Sequence, residues 1–465
     1  MLSAALRRLS IALASPTGRA LALTGLVTVC GKFIGLGREL LVASRYGAAP
    51  VLDAYLVALS IPTLIYSSLA GALGAALIPQ LLVIRRTEGP AAEIAAQQRA
   101  MGWGILLLAA GGFAGAAAGP WLLDGLSPGF DESTRALTLR LLWMSSPYTV
   151  IAGVAHLWGL LSNTEGRFGL VAAGPAVLSL TAIGALLVDQ GPLIARPLVV
   201  GVMLGSLLEL VINLVQLSRT RYRALPRWAR PGALEWQLAG RLWPAFLATL
   251  MYAGIQLVDR AMASLLGPGV VSEMNYGNRF VAMVMSLVML TVLRVAFPHL
   301  SRLAAAEQPG EFGRWLKRYG LILAAVAMPF TIGLCAGSFE IVRLTFERGR
   351  LTSEVAERVA LIQGLCAVQL PFFLLSTLLA RAGQALQMNR VVLAMSAGTL
   401  AANSLLNVWL MGPLGAPGIA LATAAAYLLG TLGLGAVVAV ELRTRRRRAE
   451  AADASDASQA SRRAA

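Results

Sequence analysis

Charge is scarce in this chain. Only 13% of its 465 residues are Asp, Glu, Lys or Arg, against roughly 25% in a typical soluble domain. Lysine is nearly missing, with Lys32 and Lys317 the only two. Histidine occurs at His156 and His299, and cysteine at Cys30, Cys335 and Cys366, all without paired spacing. That sparseness excludes a disulfide framework and a His/Cys metal centre, and the cysteines read as small buried residues. A glycine-rich phosphate loop is also lacking, which argues against direct use of ATP and leaves no cofactor implied. No polar stretch is long enough for a soluble catalytic domain, and the loop around Ser338–Glu357 is far too short for one. An enzyme is therefore not expected.

What the chain has in abundance is apolar sequence. It is 57% hydrophobic, with a mean hydropathy of +0.70. Apolar stretches of about 20 residues recur from end to end, the length needed to cross a bilayer as a helix. The short alternating segments of a β-barrel do not occur. The expected fold is all-α and polytopic, with about twelve transmembrane helices. The expected spans are 21–44, 54–82, 101–123, 137–161, 168–188, 194–217, 238–265, 270–299, 320–338, 358–383, 390–411 and 416–441. Pro62, Pro147, Pro175, Pro329 and Pro371 fall within spans and are expected to bend them.

The net charge of +16 is almost all arginine. Most of it lies in short loops on one side: Arg85, Arg86 and Arg99; Arg167; Arg219 to Arg230; Arg302 to Arg318; and Arg443 to Arg448. The other side carries Asp124, Asp131, Glu132 and Asp189, plus a mixed loop with Glu347, Arg348, Arg350 and Glu354, with Arg45, Arg135 and Arg196 as isolated exceptions. This is the positive-inside pattern, so both termini are expected in the cytoplasm, and nucleic-acid binding is not implied. Arg7 and Arg8 before LSIALAS predict an interfacial helix. The arginine-rich tail reads as disordered and able to meet anionic membrane lipids.

The chain repeats itself. ASRYGAAP at Ala43–Pro50 is answered by ASLLGPGV at Ala263–Val270, and ALIPQL at Ala76–Leu81 by VAFPHL at Val295–Leu300. The offset is 219 to 220 residues at both places, and it aligns Glu39 with Asp259 and Asp53 with Glu273. Two six-helix bundles follow, related by a pseudo-twofold axis along the membrane normal. A substrate site is expected between them near the midplane. The expected division is a cytoplasmic segment 1–20, a bundle 21–217, a linker 218–237, a bundle 238–441 and a tail 442–465.

Charge inside the spans then needs a reason, since each such group costs roughly 2.5–3.5 kcal/mol at the centre of a helix. Lys32, Arg38, Glu39 and Asp53 open the first half; Asp259, Arg260, Glu273, Arg279 and Arg294 open the second. Arg140, Glu209 and Arg381 are scattered elsewhere. Lys32, Arg38 and Arg279 together would favour an anion of two or more charges, such as a diphosphate. Asp53 is expected to pair with one of these cations and release it during a conformational change. The competing expectation is purely structural ion pairing, Arg38 with Asp53 and Asp259 with Arg260. Gly31, Gly35 and Gly37 around Lys32 allow close helix packing or a bend.

The segment GKFIGLGRELLVASRYGAAPVLDAYLVALSIP, followed by ALIP, resembles the opening signature of the MviN/MurJ lipid-flippase family. NYGNRF, running on to AFPHLSRLA, resembles that family's eighth helix. The resemblance covers all twelve expected spans. It implies an undecaprenyl-diphosphate-linked sugar as substrate, flipped from the inner to the outer leaflet of a bacterial inner membrane. Ion-gradient or potential coupling, with a coupling cation, is implied as well. The family's important positions match at Lys32 (for arginine), Arg38, Asp53 and Arg279. Glu39, Asp259 and Glu273, the repeat-related acids, are secondary candidates. So is Tyr66, in PTLIYSSLAGAL, where the peptidoglycan-precursor flippases carry arginine. Those flippases also have two further C-terminal helices. The implied cargo is therefore either the cell-wall precursor lipid II or an exopolysaccharide repeat unit. A cation-coupled drug antiporter of the same superfamily is the alternative, although it would favour an acidic, aromatic cavity. A non-transporting membrane assembly partner is another.

Overall fold

Helices account for nearly all of the chain. The computed structural model describes residues 16–464, apart from 168, 190–194 and 307. Side chains at 16–23, 233, 241, 243–245, 248–250, 252, 290–295, 449 and 452–464 are outside the description. The expected interfacial helix at Arg7 and Arg8, and the side chain of Arg294, lie outside the described residues. No strand occurs among those described.

The helices in order are α1 Pro16–Tyr46, α2 Pro50–Thr87, α3 Pro90–Ala117, α4 Gly119–Leu126, α5 Glu132–Thr164, α6 Gly174–Val188, α7 Arg196–Leu217 and α8 Ala233–Ser264. They continue as α9 Val270–Gly277, α10 Arg279–Ala305, α11 Pro309–Ala336, α12 Ser338–Phe346, α13 Ser353–Ala367, α14 Gln369–Ala385, α15 Asn389–Leu414 and α16 Ala416–Ala464. By length and hydropathy, eight of the described spans are apolar enough to cross a membrane: α2, α3, α6 with the turn before it, α7, α11, α13 with α14, α15, and α16 to Arg448. The remaining long helices, α1, α5, α8 and α10, are of membrane length too. All four carry charge, with Lys32, Arg38 and Glu39 on α1, Arg140 on α5, Asp259 and Arg260 on α8, and Arg279 on α10. The chain is an all-α, multi-pass membrane protein.

Proline sets many of the helix starts. Pro50, Pro90, Pro175, Pro197 and Pro309 sit in the first positions of their helices, where the missing N–H costs nothing. Pro175, expected to bend a span, thus begins one. Pro371 stands in the first turn of α14, just after the break at Val368. Pro62, Pro147 and Pro329 do lie inside helices, joined by Pro79, Pro298 and Pro413. The tail, expected to be disordered, continues α16 as helix. Alanine dominates its sequence, and Glu441–Arg445 and Arg446–Glu450 pair at i, i+4, both of which favour helix.

Two compact units result. One comprises Met1–Ala253, Gly267–Ser272 and Phe346–Thr352; the other Gly254–Leu266, Glu273–Thr345 and Ser353–Ala465. The core of the first packs α2, α3 and α5 through Leu73, Leu77, Leu81, Met101, Leu108 and Leu157. Small residues let these helices approach: a Cβ at Gly104 would lie 2.7 Å from Leu73 Cδ2. The core of the second joins α10, α11, α14 and α16 through Leu300, Phe312, Leu378 and Leu434. Two arginines that break the loop-charge asymmetry are tied up locally. Arg45 donates to the carbonyl of Leu186, and Arg135 donates to that of Pro120 at 2.8 Å and pairs with Asp124 at 2.6 Å.

Candidate functional site

The first cluster belongs to α1. Lys32 is half-buried. Six residues on, Arg38 donates through Nη2 to Glu39 Oε1 at 2.5 Å, with side-chain exposures of 23% and 8%. The expected Arg38–Asp53 pair does not form: Arg38 takes its own neighbour instead. Tyr55 and Tyr148 lie within electrostatic reach of Arg38. Tyr148 is buried, and its ring meets that of Tyr66 edge-on at 5.3 Å. Tyr66 therefore occupies an aromatic and aliphatic cluster with Leu59, Ala152 and Leu178.

Asp53 has a different set of partners. It is 1% exposed and sits in the first turn of α2. Its carboxylate accepts the Gly269 amide at 2.6 Å, the Ser272 amide at 2.8 Å and the Ser272 hydroxyl at 2.5 Å. These donors lie at the amino end of α9, where free amides and the helix dipole favour an anion. Beside this clasp, the Arg350 amide donates to the Ser44 carbonyl at 2.9 Å. Glu273, the repeat partner of Asp53, behaves otherwise. In the second unit it accepts Arg358 Nε at 3.0 Å and Nη2 at 2.8 Å, and Arg358 also pairs with Glu354 at 2.9 Å.

Asp259 is the centre of the second unit's polar cluster. Its Oδ1 accepts the Asn407 amide at 2.8 Å and the Asn403 amide at 3.1 Å; its Oδ2 accepts the Thr423 hydroxyl at 2.8 Å. Asn403 and Asn407 are fully buried and Thr423 is 6% exposed. The expected Asp259–Arg260 pair is replaced by these three neutral groups, and Arg260 makes no ion pair among the described residues. Asn407 Oδ1 is buried without a hydrogen-bond partner. A carboxylate, two side-chain amides and a hydroxyl are oxygen donors suited to a hard cation. Half a turn of the Asn407 amide would bring its unpartnered oxygen to face Asp259.

Sequence reasoning named Asp259 but missed its partners. The signal was the i, i+4 pair Asn403 and Asn407 inside an apolar span, which places both amides on one helix face. Lys32, Arg38, Glu39, Asp53 and Tyr66 fall in the first unit; Asp259, Glu273 and Arg279, the first residue of α10, fall in the second.

Buried carboxylates and paired cations inside long apolar helices define a polytopic membrane protein of transporter fold. The fold is that of a solved structure described as lipid II flippase MurJ in an inward closed conformation, with a TM-score of 0.77 at 20% identity over 89% of this chain and 86% of that one. An inward-facing multidrug resistance MATE family transporter of the MOP superfamily matches with a TM-score of 0.72 at 11% identity, over 91% and 99%. The chain belongs to the lipid II flippase MurJ family, whose profile matches residues 42–449. The relatives include a probable lipid II flippase MurJ of Thermotoga maritima, 27% identical over 87% of this chain and 81% of its own length. A lipid II flippase MurJ of Burkholderia cenocepacia is 25% identical over 89% and 82%.

Proposed function

We propose that this protein is a flippase for an undecaprenyl-diphosphate-linked glycan, carrying its headgroup from the inner to the outer leaflet of a bacterial inner membrane by alternating access. The observation that carries the reading is the pair of cations in the middle of α1. Lys32 and Arg38 lie on a helix of membrane length, where an ionisable side chain points to function by default. Their chemistry suits a diphosphate, with arginine supplying planar, bidentate donors and lysine a point charge. Arg279, in the second unit, is proposed as a further substrate-binding cation. Lipid II is the cargo in the names of the relatives, and it is the first candidate here. Tyr66, in its apolar cluster, is compatible with a peptide-free oligosaccharide as well. Both termini are proposed to be cytoplasmic, on the side of the arginine-rich loops.

The Asp259 cluster is proposed as the coupling-cation site. Asp259 supplies the negative charge, and Asn403, Asn407 and Thr423 supply neutral oxygens. Asp53 is proposed to hold the amino end of α9 in one state of the cycle and to let it go in another.

The test is headgroup accessibility in reconstituted vesicles. A lipid diphosphate labelled on its headgroup is loaded in one leaflet and exposed to a membrane-impermeant reagent. The protein should make the hidden pool reactive, and Lys32→Ala with Arg38→Ala should abolish this. Transport at the native rate by that double variant would sink the reading.

A further inference from the structure

The segment between α7 and α8 is a strap fastened along the first turns of α3. Tyr222 donates its hydroxyl to Glu93 at 3.0 Å, and Arg221 donates to the same carboxylate at 3.2 Å. Arg221 also pairs with Glu165. Gln97 closes both backbone groups of Arg223, donating to its carbonyl at 2.9 Å and accepting its amide at 3.1 Å. Gln98 donates to the Leu225 carbonyl at 3.0 Å, and the Arg227 amide donates to the Gln98 carbonyl at 3.0 Å. Glu235 then accepts the Gly232 amide at 2.8 Å and pairs with Arg99 at 3.2 Å. Glu93 and Gln97 are fully buried, and Tyr222 is 3% exposed.

Backbone groups at alternate residues of the strap, Arg223, Leu225 and Arg227, are thus satisfied by one helix. What the strap turns outward is fixed by this latch. Arg219, Arg223, Arg227 and Arg230 are exposed, and none makes an ion pair among the described residues. The nearest acids on the strap's neighbours, Glu93, Glu165 and Glu235, are already committed to Arg221 and Arg99. Between the arginines stand Leu225, 76% exposed, and Trp228, 61% exposed; Trp236 follows at 69%. Trp228 rests one part of its ring over Gly102, where a Cβ would lie 3.4 Å from Cε3, and leaves the rest open. Water hydrates the four guanidinium groups, while the leucine and tryptophan interleaved with them leave apolar surface exposed. They match the edge of a bilayer, where indole rings settle at the headgroups and arginines meet phosphate.

We propose that the latched strap, residues 219–230, is a docking surface for anionic phospholipid headgroups of the leaflet at the arginine-rich end of the helices. The arginines take the phosphates, and Leu225 and Trp228 enter the boundary between headgroup and acyl chain. The latch to α3 pre-forms the surface, so that little ordering is required when lipid arrives.

The test uses the full chain in mixed micelles of phosphatidylglycerol and phosphatidylethanolamine, read by native mass spectrometry. Wild type should retain phosphatidylglycerol preferentially. Arg223→Gln with Arg227→Gln should lower that retention roughly thirtyfold, about fivefold for each arginine, with the thermal unfolding midpoint unchanged. Arg196→Gln, at the start of α7, should leave it near wild type. Equal phosphatidylglycerol retention by the strap variant would overturn the proposal. So would a loss confined to a lipid diphosphate, which would assign the arginines to cargo, or a loss confined to a protein partner. As a second readout, brominated phosphatidylglycerol should quench the emission that Trp228→Phe removes; absence of quenching also overturns it.

Discussion

Asp53 and Ser272 lie 219 positions apart in sequence, and the hydroxyl of Ser272 donates to the carboxylate of Asp53 at 2.5 Å. With the amides of Gly269 and Ser272, it makes Asp53 the anchor of the amino end of α9. Charge-assisted hydrogen bonds of this kind are worth about 1.5–3 kcal/mol each. Asp53→Asn keeps the shape but removes the charge, and should weaken the clasp by about 2 kcal/mol. Hydrogen exchange read over residues 267–275 should then be roughly thirtyfold faster in the variant. Unchanged protection there would remove Asp53 from this role.

Gly47 faces a tighter constraint. Its φ is +59°, and a Cβ would lie 2.7 Å from the carbonyl oxygen of Arg350. A backbone oxygen cannot swing aside as a side-chain tip can. Gly47→Ala combines a left-handed backbone, which costs roughly 1–2 kcal/mol, with that clash. The variant should unfold at a measurably lower temperature than wild type, while Gly37→Ala, with nothing within 4 Å of its Cβ, should not.

The Asp259 cluster leads to a prediction about ions. If it holds the coupling cation, a binding cation stabilises the folded form by mass action. Sodium titration should raise the unfolding temperature of wild type. Asp259→Asn and Thr423→Val should each flatten that response without affecting the latch on α3. A sodium response that persists in both variants would place the cation elsewhere.

Glu235 gives a pH dependence. Burial pushes its carboxyl up, but the Gly232 amide and the Arg99 guanidinium outweigh burial and hold it below the ordinary glutamate value. A lowered pKa means that stability is fully present above the unfolded value of about 4.3 and is lost as pH falls through the folded value. The strap should therefore loosen on the acid side of that window. Exchange at residues 218–232 should rise there in wild type and show a smaller pH dependence in Glu235→Gln.

Much of the fold was legible because bilayer crossing imposes length and polarity on every helix. The apolar runs, the arginine-rich loops and the signature around Lys32 and Arg38 carry that information locally. The partnerships were not local. Arg38 and Glu39 are adjacent, and adjacent residues on a helix do not usually face each other, so Asp53 looked the better partner. Asn403, Asn407 and Thr423 carry no charge to mark them, and only folding brings α15 and α16 to Asp259. Arg99 read as a loop arginine and Glu93, Gln97 and Gln98 carried no local mark, since the segment they latch is more than a hundred residues away.

The central claim is that Lys32 and Arg38 hold a lipid-linked diphosphate. Native mass spectrometry of the purified protein tests it, with lipid II and a peptide-free undecaprenyl-diphosphate oligosaccharide as ligands. Wild type should retain at least one of them, and Lys32→Ala with Arg38→Ala should lose roughly tenfold or more of that binding. Preference for lipid II would assign the protein to cell-wall synthesis, and preference for the peptide-free lipid to polysaccharide export. Equal binding of both ligands by wild type and the double variant would contradict the account.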